Sequence, residues 1–274
     1  MFTTPRGTEA PRDDGVPRDL AEALALYTDR LGIFANRVQW YTEVTSTNVV
    51  ASLLADRGAV EGTVVGAEMQ TAGRGRQGRT WSSPPGVGLY VSAILRPPER
   101  IASLLTIAAG VALADGIREA TGLEISLKWP NDVYVGRHKL AGILAEASAS
   151  STSVSPVVLG FGINVLSAAY PPEVASRATS IELELGRTVD RGLVLAACLA
   201  SLASRYSQLI GGEGSSVIDA WRSHAAATLG RPVECKIGVR AITGIAEDID
   251  AAGALLVRTG TDLVRVISGE VLWP

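Results

Sequence analysis

A chain of 274 residues, 47% of them apolar, can bury a sizeable core, and a formal net charge of −3 leaves no global basic field for nucleic acid or an anionic membrane. The two cysteines, Cys198 and Cys235, lie far apart outside any metal-ligand spacing and read as reduced, partly buried thiols, and two histidines, His138 and His224, are too few for a histidine-built zinc site. The N-terminus has no apolar signal-peptide core and nowhere do roughly 18 apolar residues run uninterrupted, so a cytoplasmic protein without membrane spans is expected.

Residues 1–17, rich in Pro, Arg, Asp and Gly, are expected to form a disordered tail. Over 18–31, Leu20, Leu24, Tyr27 and Leu31 recur at helical spacing and predict an amphipathic helix. A strand over 38–44 follows. Next comes an Ala/Leu/Val-rich helix through Asp56, with Ser46 placed to cap it and Thr47 or Asn48 left to point outward. Residues 63–69 predict a buried strand that delivers Gln70 to a loop in which Arg74, Arg76 and Arg79 alternate with Gly73, Gly75 and Gly78. Glycine costs up to about 1 kcal/mol inside a helix or strand, so neither is expected there. Such a loop can turn backbone amides towards an anion and pair its guanidinium groups with phosphate or carboxylate. Free, it repels itself and is expected to move until a polyanion orders it. Its spacing fits neither the dinucleotide fingerprint nor a P-loop.

A strand over 89–95 ends before Pro97-Pro98, and residues 101–121 predict a long Ala/Leu helix stopped by Gly122. A short strand over 125–128 and a Trp129-Pro130-Asn131-Asp132 turn come next. Strands over 133–135 and 140–147 flank Gly136-Arg137-His138-Lys139 as a hairpin. The Ser-rich 148–155 is short enough for a hairpin loop. Gly160 and Gly162 inside a strand over 157–165 imply that something approaches the backbone closely. Helices over 190–210 and 217–229 precede a break at Gly230-Arg231-Pro232. Beyond it, short strands alternate with Gly244, Gly253, Gly260 and Gly269, as in a small β-barrel that must dock on the rest of the chain.

Strand ends and turns thus carry Ser46, Asn48, Gln70, the arginine loop, Lys128, Asn131, Asp132, Lys139 and Asn164. Taken singly, each has a plain reading: Lys128 as a solvated strand end, Asp132 as an Asx-turn residue, Lys139 as a surface lysine, Trp81 as a core tryptophan. The joint pattern is more specific. Ser46-Thr47-Asn48, Gln70 with the 73–79 loop, Lys128-Trp129-Pro130-Asn131-Asp132, Lys139-Leu140-Ala141-Gly142-Ile143-Leu144-Ala145-Glu146 and Gly160-Phe161-Gly162-Ile163-Asn164-Val165 resemble, in order and approximate spacing, the biotin protein ligases. The resemblance runs over about residues 38–274.

That resemblance implies an α+β fold. A mixed β-sheet flanked by helices would form a class II synthetase-like catalytic domain over 18–229, with a small SH3-like β-barrel over 230–274. It implies a two-step reaction: the carboxylate of biotin attacks the α-phosphate of ATP to give biotinyl-5′-AMP and pyrophosphate, and a lysine of a biotin carboxyl carrier domain, of the acetyl-CoA carboxylase type, then displaces AMP. Biotin and ATP repel each other, so Arg74, Arg76, Lys128 and Lys139, with Mg²⁺, are the right groups to screen the approach. By the same resemblance Ser46, Thr47, Asn48, Gln70, Arg74, Gly75, Arg76, Lys139, Gly142 and Gly162 would hold biotin. Arg74, Arg76, Arg79, Trp81, Lys128, Asn131 and Asn164 would meet the nucleotide, Asp132 and Asn164 the metal, and Lys139 would be the catalytic electrophile. The same architecture serves lipoate ligases, but the motif set is the biotin version. The stretch before the catalytic residues, about 40 residues with one convincing helix, is too short for a three-helix DNA-binding unit, so no DNA binding is expected; a homodimer is left open.

Overall fold

The structure, a computed structural model, describes residues 13–147, 156–167, 170, 172–237 and 240–272. Residues 1–12 of the expected tail, the Ser-rich 148–155 and Trp273 lie outside them. In chain order the helices are α1 (Arg18–Leu26), α2 (Thr47–Asp56), α3 (Glu99–Ala102), α4 (Leu105–Thr121), α5 (Pro172–Ala175), α6 (Ile181–Leu185), α7 (Arg191–Ile210) and α8 (Gly214–His224). The strands of the main sheet are β1 (Val38–Val44), β2 (Val64–Gln70), β3 (Gly88–Leu95), β4 (Ser126–Lys128), β5 (Asp132–Val135), β6 (His138–Ala147) and β7 (Val157–Asn164). They form a seven-stranded mixed sheet in the order β1-β2-β3-β7-β6-β5-β4. β1 and β2 run parallel, and the other neighbours are antiparallel.

Strand alternation decides what each face carries. Leu89, Val91, Ala93 and Leu95 of β3, Leu159, Phe161 and Ile163 of β7, and Ala141 and Ile143 of β6 all join one apolar cluster with α1, α4, α7 and α8. Their in-between neighbours point the other way. Over β1–β3 that opposite face meets α2 through a smaller cluster of Tyr41, Val44, Val50, Ala51, Val65, Ala67 and Ile94. Over β6 and β7 it presents Gly142, Leu144, Gly160 and Gly162 instead. α7 is the one helix among the described residues long and apolar enough to cross a membrane, yet most of its apolar residues pack in the core.

Strand ends shift by one or two residues, most notably where His138 and Lys139 of the expected hairpin connection belong to β6, and three helices depart further from their expected bounds. The 18–31 helix stops at Leu26 and continues as two 3₁₀ turns, Thr28–Arg30 and Gly32–Phe34. There the Thr28 hydroxyl donates back to Ala25 O at 2.9 Å, and Gly32 sits at φ +52°. The 101–121 helix is two, α3 and α4, the second closed by Gly122 in the left-handed region as expected. The last helix starts at Gly214 and leaves α-geometry at His224 because Thr228 is drawn to the sheet. Its buried hydroxyl accepts from Trp129 N at 3.1 Å and donates to Leu127 O at 2.9 Å.

Beyond Thr228 come β8 (Pro232–Ile237), β9 (Arg240–Ile249), β10 (Leu255–Thr259), β11 (Asp262–Val266) and β12 (Glu270–Leu272). They pair antiparallel in the order β11-β10-β9-β8-β12. Ala246, Ile249, Leu255, Val257 and Val266 join the same core cluster as the main sheet, and Trp129 Nε1 donates to Gly253 O at 2.9 Å. The small sheet therefore docks on the turn that precedes Asn131 and Asp132.

Candidate active site

The floor of the site is the side of β6, β7 and β3 that α1, α4 and α7 do not cover. Cross-strand register places Gly142, Gly162 and Tyr90 in one row and Leu144, Gly160 and Ser92 in the next. The glycines are obligatory here. A Cβ on Gly160 would lie 2.0 Å from Asn48 Oδ1, and one on Gly162 would lie 2.4 Å from Trp81 Nε1. The expected close approach to this backbone is made by Asn48 and Trp81 of the chain itself. The Trp81 indole lies over both Gly142 and Gly162, its Nε1 is buried without a hydrogen bond, and Lys139 Nζ sits 5.4 Å from its ring centroid.

The start of α2 closes one end of the floor. Ser46 holds the N-cap position, but its side chain makes no capping bond. Gln70, arriving at the end of β2, does that work: its Oε1 accepts from Thr47 N at 2.8 Å and lies 3.2 Å from Thr47 Oγ1. The reason is positional. The parallel pairing of β1 with β2 puts Val44 beside Gln70, so a long amide side chain reaches the first free amide of the helix. One of Thr47 and Asn48 is expected to point outward, but both are buried. The Ser92 hydroxyl donates to Asn48 Oδ1 at 2.6 Å and lies 2.8 Å from Thr47 Oγ1, and Asn48 Nδ2 donates to Glu146 Oε2 at 2.7 Å.

The arginine loop folds back on itself above this floor. Gly75 N donates to Arg79 O at 2.8 Å, Arg79 N to Arg76 O at 3.2 Å and Trp81 N to Gly73 O at 2.9 Å. Gln77 takes a positive φ of 56° at its tip. Gly73 is required by packing, since a Cβ would lie 2.4 Å from Trp81 O. Two arginines are directed inward onto the sheet: Arg74 Nη2 lies 3.0 Å from Glu146 Oε1, and Arg76 Nη1 donates to Asn131 Oδ1 at 3.1 Å. Arg79 contributes its backbone to the turn.

The opposite side is built on the hairpin of β5 and β6. Lys139 Nζ lies 2.7 Å from Asp132 Oδ1, but Oδ1 has no aligned hydrogen bond, so the contact is an ion pair. The Lys139 backbone is pinned on both sides, its N–H donating to Arg177 O at 2.7 Å and its carbonyl accepting from Thr179 N at 3.0 Å. Asn164 Nδ2 donates to Thr179 O at 2.9 Å, which ties it to the same segment. Lys128 pairs in register with Asp132, and its Nζ lies 5.7 Å over the Tyr134 ring. Burial, with the Asp132 carboxylate adding to it, pushes the Tyr134 hydroxyl up to about 12, so it stays neutral. Asn131 is fixed by Nδ2 donating to Ile143 O at 2.8 Å. A cleft of about 370 Å³ opens beside it, lined by Arg76, Asn131 and Ile143 on one wall and Gly253, Arg265 and Ile267 on the other.

Four cationic side chains thus surround a glycine floor, each with a neighbour that a substrate anion could replace. Among the described residues no three His, Cys, Asp or Glu converge. Asp132 carries a buried carboxylate oxygen without a hydrogen bond, and Asn164 turns its amide nitrogen to Thr179 O, which leaves Oδ1 as its acceptor. Nothing in the sequence motifs singles out Ser92, Thr179 or the role of Glu146. The one polar residue within the apolar 88–95 run is Ser92, on the opposite parity to Leu89 and Val91, and that interruption was the available signal.

The chain matches the Biotin/lipoate A/B protein ligase family over residues 41–164 and the Biotin protein ligase C terminal domain over 228–272. It is 33% identical over 259 residues to the Bifunctional ligase/repressor BirA of Bacillus subtilis (strain 168), covering 93% of this chain and 79% of that one. It is 37% identical over 236 residues to the Biotin--[acetyl-CoA-carboxylase] ligase of Mycobacterium tuberculosis, covering 83% and 85%. The structure superposes on the biotin protein ligase from Aquifex aeolicus in complex with biotin and ATP with a TM-score of 0.76 and 31% identity, over 86% of this chain and 98% of that one.

Proposed function

From the premise that this chain belongs to the biotin protein ligase family, we propose that it activates biotin with ATP and transfers it to a carrier lysine. The biotin carboxylate attacks the α-phosphorus, the α–β anhydride bond breaks, and pyrophosphate leaves. The ε-amine of the acceptor lysine, on a carrier domain of the acetyl-CoA carboxylase type, then attacks the acyl carbon. AMP departs with the acyl-phosphate electron pair, and the amine loses a proton. The observation that carries this reading is Lys139 and the inward arginines of the loop gathered around a floor of Gly142, Gly160 and Gly162.

The residue roles follow from chemistry. Lys139 is the catalytic electrophile, moving from Asp132 to the acyl-phosphate oxygen as negative charge builds there. Arg74, Arg76 and Lys128 screen the like-charge approach, Arg79 and Asn131 complete the nucleotide side, and Asn164 with Asp132 would hold Mg²⁺. That ion supplies charge neutralisation at the phosphates. Ser46, Thr47, Asn48, Gln70 and Gly75 surround the ureido ring. Trp81 shelters the adenylate, and its unpaired indole N–H is a donor for it. The loop excludes water from the mixed anhydride. We read the C-terminal sheet, 230–274, as an SH3-like module beside the catalytic unit 18–229. Purified protein with biotin and Mg·ATP should release pyrophosphate and label a carrier lysine detectable with avidin. Lipoate offered in parallel separates the two branches of the family: lipoylation without biotinylation would overturn the proposal.

A further inference from the structure

Glu146 closes the Lys139–Glu146 motif but has no part in the roles above. In the structure its two carboxylate oxygens hold two different parts of the site: Oε1 pairs with Arg74 of the loop at 3.0 Å, and Oε2 accepts from Asn48 of α2 at 2.7 Å. We propose that Glu146 is a positioning residue that latches the arginine loop to the biotin-binding start of α2. The proposal rests on the ligase reading and adds a regulator of substrate retention to it.

The direction of each hydrogen bond gives the latch its order. A side-chain amide can be turned over, and its neighbours decide which end faces where. A carboxylate can only accept, so it forces Nδ2 of Asn48 towards itself and Oδ1 towards Ser92. Ser92 has one hydrogen, and Asn48 Oδ1 at 2.6 Å takes it. The Ser92 oxygen is left as an acceptor beside Thr47 Oγ1 at 2.8 Å, while Gln70 Oε1 takes the Thr47 amide. Gln70 Nε2 then donates to Ser83 Oγ at 2.8 Å, which donates to Trp81 O at 3.2 Å. The chain of contacts starts at Arg74 and ends at Trp81, both on the same loop. It runs under the loop through the head of α2, and Ser92, Thr47 and Asn48 within it are buried. Hydrogen bonds in such a row polarise one another, so the state of the loop is felt at the amide and hydroxyl groups of the pocket. Glu146 is the carboxylate in this chain and sets its polarity. Gly160 supplies the room, because no side chain could stand where Asn48 crosses the sheet.

Two substitutions separate the two arms. In E146Q a single amide oxygen replaces two carboxylate oxygens. It should stay on buried Asn48, since the half-exposed Arg74 can turn to water. E146Q is therefore expected to bind biotin within about threefold of wild type by calorimetry, yet to lose biotinyl-5′-AMP about tenfold faster, the worth of one partly exposed charge-assisted hydrogen bond. E146A, which frees Asn48 as well, should also weaken biotin about tenfold or more. Placed in an R74A background, E146Q should add nothing to the release rate. Thermal melts and wild-type turnover serve as controls, and should E146A fold poorly, E146Q and the R74A combination carry the test. Wild-type retention in E146Q, or additive effects of R74A and E146Q on release, would overturn the latch. Failure of the ligase reading looks different: wild-type protein itself would release no pyrophosphate.

Discussion

Two charged networks lie on opposite faces of the main sheet, and they are wired differently. On the helix side, Arg191 makes a two-pronged contact with Glu68 at 2.7 and 3.0 Å and a third with Asp19 at 2.8 Å, while Trp40 Nε1 adds a further donor to Glu68. Asp115 likewise receives Arg205 at 2.6 Å and lies 3.2 Å from His224 Nε2. On the site side the polar contacts are single-pronged, Arg74 to Glu146, Arg76 to Asn131 and Lys139 to Asp132, and the Arg74 side chain is 50% exposed. Saturated, oriented pairs fix the packing of α1, α7 and α8. Single-pronged contacts are easier to exchange for an incoming anion than two-pronged ones. The contrast predicts that charge removal on one face costs activity and on the other costs stability.

The largest effect expected is that of Lys139→Ala, which should slow pyrophosphate release on the order of 100-fold while shifting the melting temperature little. Near-normal release would remove Lys139 from its role. Arg191→Ala should do the reverse, losing about 2–3 kcal/mol of stability because the partly buried Glu68 loses its two-pronged partner, with kcat of the folded fraction intact. Denaturant melts alongside initial rates test the pair, and a fall in kcat without a fall in stability would break the contrast. A smaller effect is expected from Arg76→Gly. It should release biotinyl-5′-AMP several-fold, about tenfold at most, faster and label bystander lysines, because the loop loses its anchor on Asn131. Unchanged retention would argue against a water-excluding role.

The acid side gives the next test. Burial alone would raise the Asp115 carboxyl, but hydrogen bonds from His224 and Arg205 more than offset it and hold it below the usual range. Asp19 and Glu119 are lowered as well, first by their hydrogen bonds to Arg191 and Arg30. A depressed carboxylate contributes stability that is complete above its unfolded value of about 4 and is lost as the pH falls through the lower folded one. The melting temperature should therefore fall steeply below about pH 4, and Asp115→Asn should flatten part of that fall. An unaltered acid limb in the variant would show that the helix-side network contributes nothing there. The smallest effect belongs to the exposed Arg18–Glu22 pair, where Glu22→Ala should change stability by about 0.5 kcal/mol or less in a denaturant melt.

Local patterns located most elements, while the candidate site residues came from the joint order of five motifs and the family they resemble, since each residue alone had a plain reading. Period and glycine placement marked the strand that carries Gly160 and Gly162 and the loop that carries Arg74 and Arg76. They missed Ser92, because one hydroxyl in an apolar strand has no meaning until α2 is laid across it. They also gave the helix cap to Ser46, because a cap is ordinarily local and Gln70 lies on another strand.

By itself the sequence determined the alternation of each strand, the stop at Gly122, the cationic loop and the motif order that marks the family. Those are short-range properties, written in spacing and residue type. Only the tertiary structure decided that Glu146 faces both Arg74 and Asn48, that Trp81 lies on the glycine floor and that Lys139 is pinned by residues 177–179. These depend on which strands become neighbours and in what register, and register across a sheet is set by the packing of its buried face, not by the residues that end up at the site.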